Sequence, residues 1–398
     1  MKLHGCKRDR RRERRCGSIL VLAAFFMVAA FAMLAFAVDM GYLHVVSSQL
    51  QKSADASALA ATWDLIDEGK LTGDGDPELI IAEARARAEE YAALNKVAGY
   101  SPVLSLEDVQ IGQLVDPTNP NDVMIFTDPS RYNAIRTRVR WTSEQNGPVS
   151  LFFAKVLGIN SANAQTEATA VFLDNLNGFQ TPSDGSNVKL LPFALDWDTW
   201  FARRIAQKNL PAPPPDGITD DYKAVRHSDG SWHVEPGPDG ILEVNLFPQG
   251  TGSPGNRGTV DIGAANNSTA DLARQILYGI TPADMAYLDG GKLEFNEDHE
   301  LFLNGDTGIS AGMKDELASI IGKKRCIPIF SDVSGNGNNA TYTIVHFAGI
   351  RIMDVKLTGS MSSKKVIIQP ARVKTPGMIV GTGTSKADFI YSPVWLAR

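Results

Sequence analysis

Ser18 to Val38 is a run of 21 residues, SILVLAAFFMVAAFAMLAFAV, without one charged side chain. As an α-helix rising about 1.5 Å per residue it is about 31 Å long, which matches the ~30 Å hydrocarbon layer of a bilayer. Eight basic residues crowd ahead of it (Lys2, Lys7, Arg8, Arg10, Arg11, Arg12, Arg14, Arg15), against only Asp9 and Glu13. Just beyond the run, only His44 and Lys52 are basic. That asymmetry predicts a spanning helix with its N-terminus in the cytoplasm and the bulk of the chain outside it.

A secretory signal is the competing reading. Its apolar stretch is typically about 7–15 residues and ends at a small-x-small site, and Ala35 and Ala37 supply a loose version of one. Cleavage there would release a secreted or periplasmic protein that binds a ligand or carbohydrate. The residues that follow favour a retained anchor. Tyr42, Val46, Leu50, Ala54, Ala58, Ala61 and Leu65 recur at spacings of three and four, one face of a continuing helix. The spacing predicts an amphipathic stalk over 39–69 with a soft point at Gly41. The small residues of ADASALAA let helices approach closely, so Tyr42, Val46, Leu50, Ala54, Ala58 and Ala61 are read as a helix-packing interface.

Beyond the stalk, periodicity alternates between helix and strand, which defines an α+β body with a β-rich end. Residues 77–99 read as a helix that opens on Pro77 and stops at Gly99. Strands are predicted in EDVQIGQL, DVMIFT and NAIRTRVRW, the last with Ile135, Thr137, Val139 and Trp141 inward and three arginines on the wet face. PVSLFFAKVLG (148–158) reads as a short apolar helix and TEATAVFLDN as a strand. The turn-rich stretch 177–188 marks a boundary. The organisation expected is a basic tip 1–17, a span 18–38, a stalk 39–69, an α+β domain 70–178, and a β-rich α+β domain 179–398 with a proline-rich insertion at 210–221.

The net charge is −6 although the first 17 residues are strongly basic, so the body is acidic. An acidic body does not suit a polyphosphate ligand, and nucleic acid is not an expected partner. Of three cysteines, Cys6 and Cys16 precede the span and Cys326 follows it alone, which leaves no disulfide on the far side.

Residues 14–62, RRCGSILVLAAFFMVAAFAMLAFAVDMGYLHVVSSQLQKSADASALAAT, resemble the TadE/TadG-like proteins of tight-adherence pilus assembly. A fainter likeness runs through 134–170. The resemblance implies a single-pass protein of the bacterial inner membrane with a pilin-like N-terminal helix and a body in the periplasm or outside the cell. Its implied partners are the lipid bilayer, pilin-like or TadE/TadG-like membrane proteins, and a surface ligand. Prepilins of this system are cut after a glycine and carry Glu at the fifth mature position. Gly17 fits the glycine, but Leu22 stands at the fifth position, so an uncut anchor is expected. The D-x-S-x-S metal motif of long TadG-like chains is also missing. The nearest approaches are Asp196, Asp198 and Trp200, and Asp332, Ser334 and Asn336.

The remaining chemical motifs favour bland readings. Asp332, Ser334 and Asn336 offer oxygen ligands, but SGNGNN leads into a strand and reads as a hairpin turn. GTGSPG (250–255) is a literal G-x-G-x-x-G interrupted by Pro254, and no helix follows it. Cys326 lies beside Lys323, Lys324 and Arg325, a basic setting that lowers a thiol pKa, with His346 elsewhere in the same β-rich region; RCIPIF alternates like a buried strand. EDHE (297–300) lacks the spacing of a zinc helix, and DGD (74–76) lacks the rest of a calcium loop. No catalytic, cofactor-binding or metal-binding set is assigned. The expected protein is a non-enzymatic, membrane-anchored component of a pilus or related surface assembly. An exported hydrolase using Asp196 and Asp198 is the enzymatic alternative.

Overall fold

The structure, a computed structural model, describes residues 17–66, 69–72, 76–119, 121–247, 257–263, 268–308, 310–335, 337–360, 363–381 and 385–397. The basic tip, the GTGSPG stretch, Asn336 and most of DGD lie outside these residues. The fold is α+β: one long apolar N-terminal helix, then strand-rich structure with shorter helices. Contacts divide the chain into two units. One comprises Met1–Ser57 (described from Gly17), Glu89–Val109 and Thr137–Ala168; the other Ala58–Ala88, Gln110–Arg136 and Thr169–Arg398.

Helix α1 runs from Gly17 to Asp64 and passes through Gly41 without a break. A single glycine costs a helix only about 1 kcal/mol, which the long flanking turns absorb. The helix stops at Asp64, short of the expected Gly69. Helix α2, Pro77–Leu94, opens on proline, whose missing N–H would find no intrahelical partner there. It ends before Gly99, where Ala98 and Gly99 take positive φ values of 49° and 87°.

Strands β1 (Val109–Gly112), β2 (Ala134–Trp141) and β5 (Ala164–Val171) belong to a four-stranded sheet, with Trp395–Leu396 as its fourth member beside β5. In β2 the predicted alternation holds: Ile135, Thr137, Val139 and Trp141 are buried and Arg136, Arg138 and Arg140 partly exposed. DVMIFT is no strand; only an isolated bridge, Gln113 to Ile125, forms there. Residues 148–158 are no α-helix either. Val149–Ser150 (β3) and Ser161–Ala162 (β4) form a hairpin, and its tip holds a single 3₁₀ turn, Ala154–Leu157.

In the larger unit, β6 (Phe193–Asp196) leads directly into helix α3 (Trp197–Lys208), which Asp196 caps by accepting the Thr199 N–H at 2.8 Å. Further along lie β7 (Ile218–Thr219), β8 (Glu243–Phe247), β9 (Gly258–Val260), α4 (Thr269–Tyr278), β10 (Leu301–Asp306), α5 (Lys314–Ser319), β11 (Lys324–Ser334), β12 (Ala340–Lys356) and β13 (Lys365–Pro370). Ser268 caps α4, accepting the Asp271 N–H. The strands pair in the order β10, β9, β6, β11, β12, and β12 pairs again with β10, so five strands close a ring. Strands β13, β8 and β7 extend the sheet from β12.

The period of two along these strands builds two cores. Ala194, Val260, Phe330, Tyr342 and Ile344 join one cluster. Phe193, Leu195, Ile327, Ile329, Ile350 and Ile352 join another, covered by Trp200 of α3, Leu272 and Ile276 of α4, and Leu317 of α5. Ring closure requires close backbone approach at Gly258, where a Cβ would overlap the Asp306 carbonyl and the Tyr342 hydroxyl.

Candidate membrane and assembly surface

The first half of α1 carries its apolar side chains on the outside. Leu20, Val21, Leu22, Phe25, Phe26, Met27, Val28, Phe31, Met33, Leu34 and Phe36 are all exposed, and the most apolar window of the helix is 0% buried. A soluble core helix would cover these residues. A helix that is apolar on every side and uncovered by its own protein is suited to lipid.

The character of the helix changes at Asp39, the first charge after the run. Its side chain is buried, only 4% exposed. The backbone N–H groups of Phe152, Phe153 and Ala154 donate to its carboxylate at 2.7–3.3 Å. These are the donors at the head of the 3₁₀ turn, which has no intrahelical partner for them. Tyr42, one turn further on, meets the Phe152 ring edge-to-face at 5.0 Å between centroids.

Beyond Asp39 the stripe read from the sequence turns inward. Val46, Leu50, Ala54, Ala58 and Ala61 are each 0% exposed, and Tyr42 is half-buried. The cover is this chain's own fold. Two polar positions on the same face escape a hydrophobic count. Ser53 Oγ donates to the Ala92 carbonyl of α2 at 3.2 Å, and Ser57 Oγ reaches Thr137 Oγ1 of β2 at 3.5 Å. Their signal was their small size at the i+3 positions between the apolar ones. In the other unit, Thr62 bonds back to Ala58 and contacts the Ala170 carbonyl of β5, and Asp64 pairs with Arg87 at 2.8 Å.

The loop between α2 and β1 is held by a buried ion pair. Asp108 receives the Ser105 N–H and hydroxyl and the Gln145 amide, and its other oxygen meets Arg140 Nε at 2.7 Å. Burial disfavours the charge, but these donors outweigh it and hold the carboxyl below its ordinary range.

Asp196 is committed to the α3 cap and to an ion pair with Arg257 at 2.6 Å, while Asp198 is exposed in the first turn of α3. Asp332 and Ser334 lie on exposed positions of β11. EDHE forms a turn with His299 at positive φ. Cys326 is free and fully buried, and burial pushes its thiol above the ordinary range. It stands opposite Gly349 in the ladder, whereas His346 stands opposite Ile329, so the two are not cross-strand partners. His346 instead approaches Asp388 at 3.4 Å, beside an open cleft of about 600 Å³ lined also by Trp197, Arg204, Ser331 and Ser385. Asp388 is held by the Trp200 Nε1–H at 2.7 Å and by Arg204 at 3.3 Å. Among the described residues, no three histidine, cysteine or carboxylate side chains are grouped to hold a metal.

A long apolar helix, bare in its first half and built into an α+β body in its second, fits a single-pass, membrane-anchored protein. The family comparisons agree. Residues 17–64 match the Tad family, "Putative Flp pilus-assembly TadE/G-like", and residues 60–170 match the Tad_C family, "Putative Tad-like Flp pilus-assembly". The two matches together span residues 17–170, and over this stretch the chain is similar to Tad-like Flp pilus-assembly proteins, which supports a role related to that pilus. No curated protein and no solved structure gives a significant match.

Proposed function

We propose that this protein is a non-enzymatic component of a bacterial tight-adherence pilus or related surface assembly, held in the inner membrane by residues 18–38. Its N-terminus is cytoplasmic and its body lies in the periplasm or outside the cell. The observation that carries this reading is the change of environment within one continuous helix. The charge-free part is exposed on all sides, and from Val46 onward every turn is gripped by the body.

In this reading the stripe Tyr42, Val46, Leu50, Ala54, Ala58 and Ala61 is the packing face that joins helix and body. Contacts with other pilin-like or Tad-like membrane proteins fall to the exposed half of α1, where a neighbouring helix would replace lipid. The match over 17–170 and the exposure of that half support this reading.

The test is to fractionate cells producing the full chain, wash the membranes with carbonate, and crosslink through residues of the exposed half. The reading expects a carbonate-resistant protein with crosslinks to small pilin-like or Tad-like subunits. A soluble protein whose N-terminus lies near Asp39 would support the signal-peptide alternative.

A further inference from the structure

The tip of the β3–β4 hairpin has an unusual surface. Residues 151–160 read LFFAKVLGIN, with Lys155 as the one charge. Leu151 is buried, but the apolar side chains after it face outward. Val156 is 87% and Leu157 82% exposed, and Phe152, Phe153 and Ile159 are exposed as well. The backbone holds them there. Leu151 N–H bonds the Asn160 carbonyl across the neck at 3.0 Å, and Gly158 takes a left-handed conformation that closes the 3₁₀ turn. A cluster of five large apolar side chains turned outward on a fixed turn calls for a partner surface.

The position of the tip identifies that surface. The N–H groups of Phe152, Phe153 and Ala154 bond Asp39, the residue that immediately follows the charge-free run, and Tyr42 packs on Phe152. The tip is therefore fixed beside the last turn of the run, and its apolar side chains continue the exposed apolar surface of that helix. Aromatic residues and a lysine beside aliphatic ones are the composition of an element lying in the interfacial layer, with the lysine reaching to headgroups. The same contact explains how a carboxylate is tolerated at the end of a span, since its oxygens are occupied by backbone donors.

We propose that residues 152–159 form a second membrane-contacting element, which lies in the interfacial layer at the C-terminal end of the spanning helix and is clamped there by Asp39. The proposal rests on the anchoring of residues 18–38. Two points of contact fix how the helix and the hairpin that it carries are tilted and rotated in the bilayer, which a single helix leaves free.

The test uses the full chain with Cys6, Cys16 and Cys326 replaced by alanine and a single spin label at position 28, 156 or 157. The protein is reconstituted in phosphatidylcholine–phosphatidylglycerol vesicles, and label accessibility to oxygen is compared with accessibility to a water-soluble nickel chelate. Labels at Val28, Val156 and Leu157 are all expected to be reached by oxygen and shielded from nickel. Asp39→Asn is expected to raise nickel access severalfold at Leu157 and to leave Val28 unchanged. Val28 in lipid with Val156 and Leu157 open to nickel would overturn the proposal alone. Val156 and Leu157 shielded from both reagents would mean a protein partner and would also overturn it. Val28 open to nickel would overturn the anchor and the proposal together.

Discussion

Arg140 Nε stands 2.7 Å from Oδ1 of Asp108, a carboxylate that is 1% exposed. Glu107, on the surface, meets the same guanidinium at 2.6 Å, and both carboxylates raise the pKa of Arg140. Breaking a buried pair from one side leaves an uncompensated charge, at a cost of about 3–5 kcal/mol. Arg140→Ala should therefore lower the denaturant midpoint of the detergent-solubilised protein far more than Glu107→Ala, which removes an exposed partner at a cost of ~0.2–1 kcal/mol. Equal effects would show that Asp108 does not depend on Arg140.

Asp108 also predicts an acid sensitivity. Its folded carboxyl is held below the ordinary value of 3.8, so its contribution is present above the unfolded pKa and is lost as pH falls through the folded one. Asp108→Asn should flatten the stability profile in that acid window and lower the plateau above it. Thermal unfolding between pH 2 and 5 checks this.

Glu243 has the opposite sign. It is 0% exposed, and burial, opposed by the N–H groups of Asp221 and Tyr222, pushes its carboxyl up from 4.5 to about 8. The folded protein then keeps a proton that the unfolded chain loses. Glu243 favours folding fully below about pH 4.5, and that contribution fades as pH rises toward 8. Glu243→Gln should remove the decline in melting temperature across this range. An unchanged slope would mean that Glu243 is ionised in the fold.

Gly258→Ala probes the closed ring. The added methyl would overlap the Asp306 carbonyl and the Tyr342 hydroxyl, and neither the β9–β10 pair nor the β10–β12 pair can shift alone without opening the ring. Overpacking of this kind costs about 1–3 kcal/mol. Gly290→Ala is the comparison, since nothing lies within 4 Å of that position although its φ is 60°. The ring account expects the larger loss at Gly258, read by chemical denaturation.

Much of this was legible in the sequence where the signal is local. The spacing of Val46, Leu50, Ala54 and Ala58 named the buried face of α1, and the alternation in β2 named the face on which its arginines are partly exposed. What escaped was set by partners distant in the chain. LFFAKVLG has the composition of a short helix, but Val149–Ser150 pairs with Ser161–Ala162, and the donors of the turn are taken by Asp39, 113 to 115 residues away. No pattern within the segment encodes that contact. DVMIFT alternates like a strand yet finds only Gln113 as a ladder partner, and a strand without a partner does not persist. Closure of the ring depends on the parallel pairing of Leu195 with Ile329, which no local period reports.

Protease protection on spheroplasts producing the full chain, with a short epitope tag at each end, reads out which side of the membrane holds the body. The account predicts that external protease removes the C-terminal tag and degrades the body while the N-terminal tag survives on a fragment of about the size of α1. A protected C-terminal tag, or a chain that lacks its first forty or so residues and leaves with the soluble fraction, would contradict it.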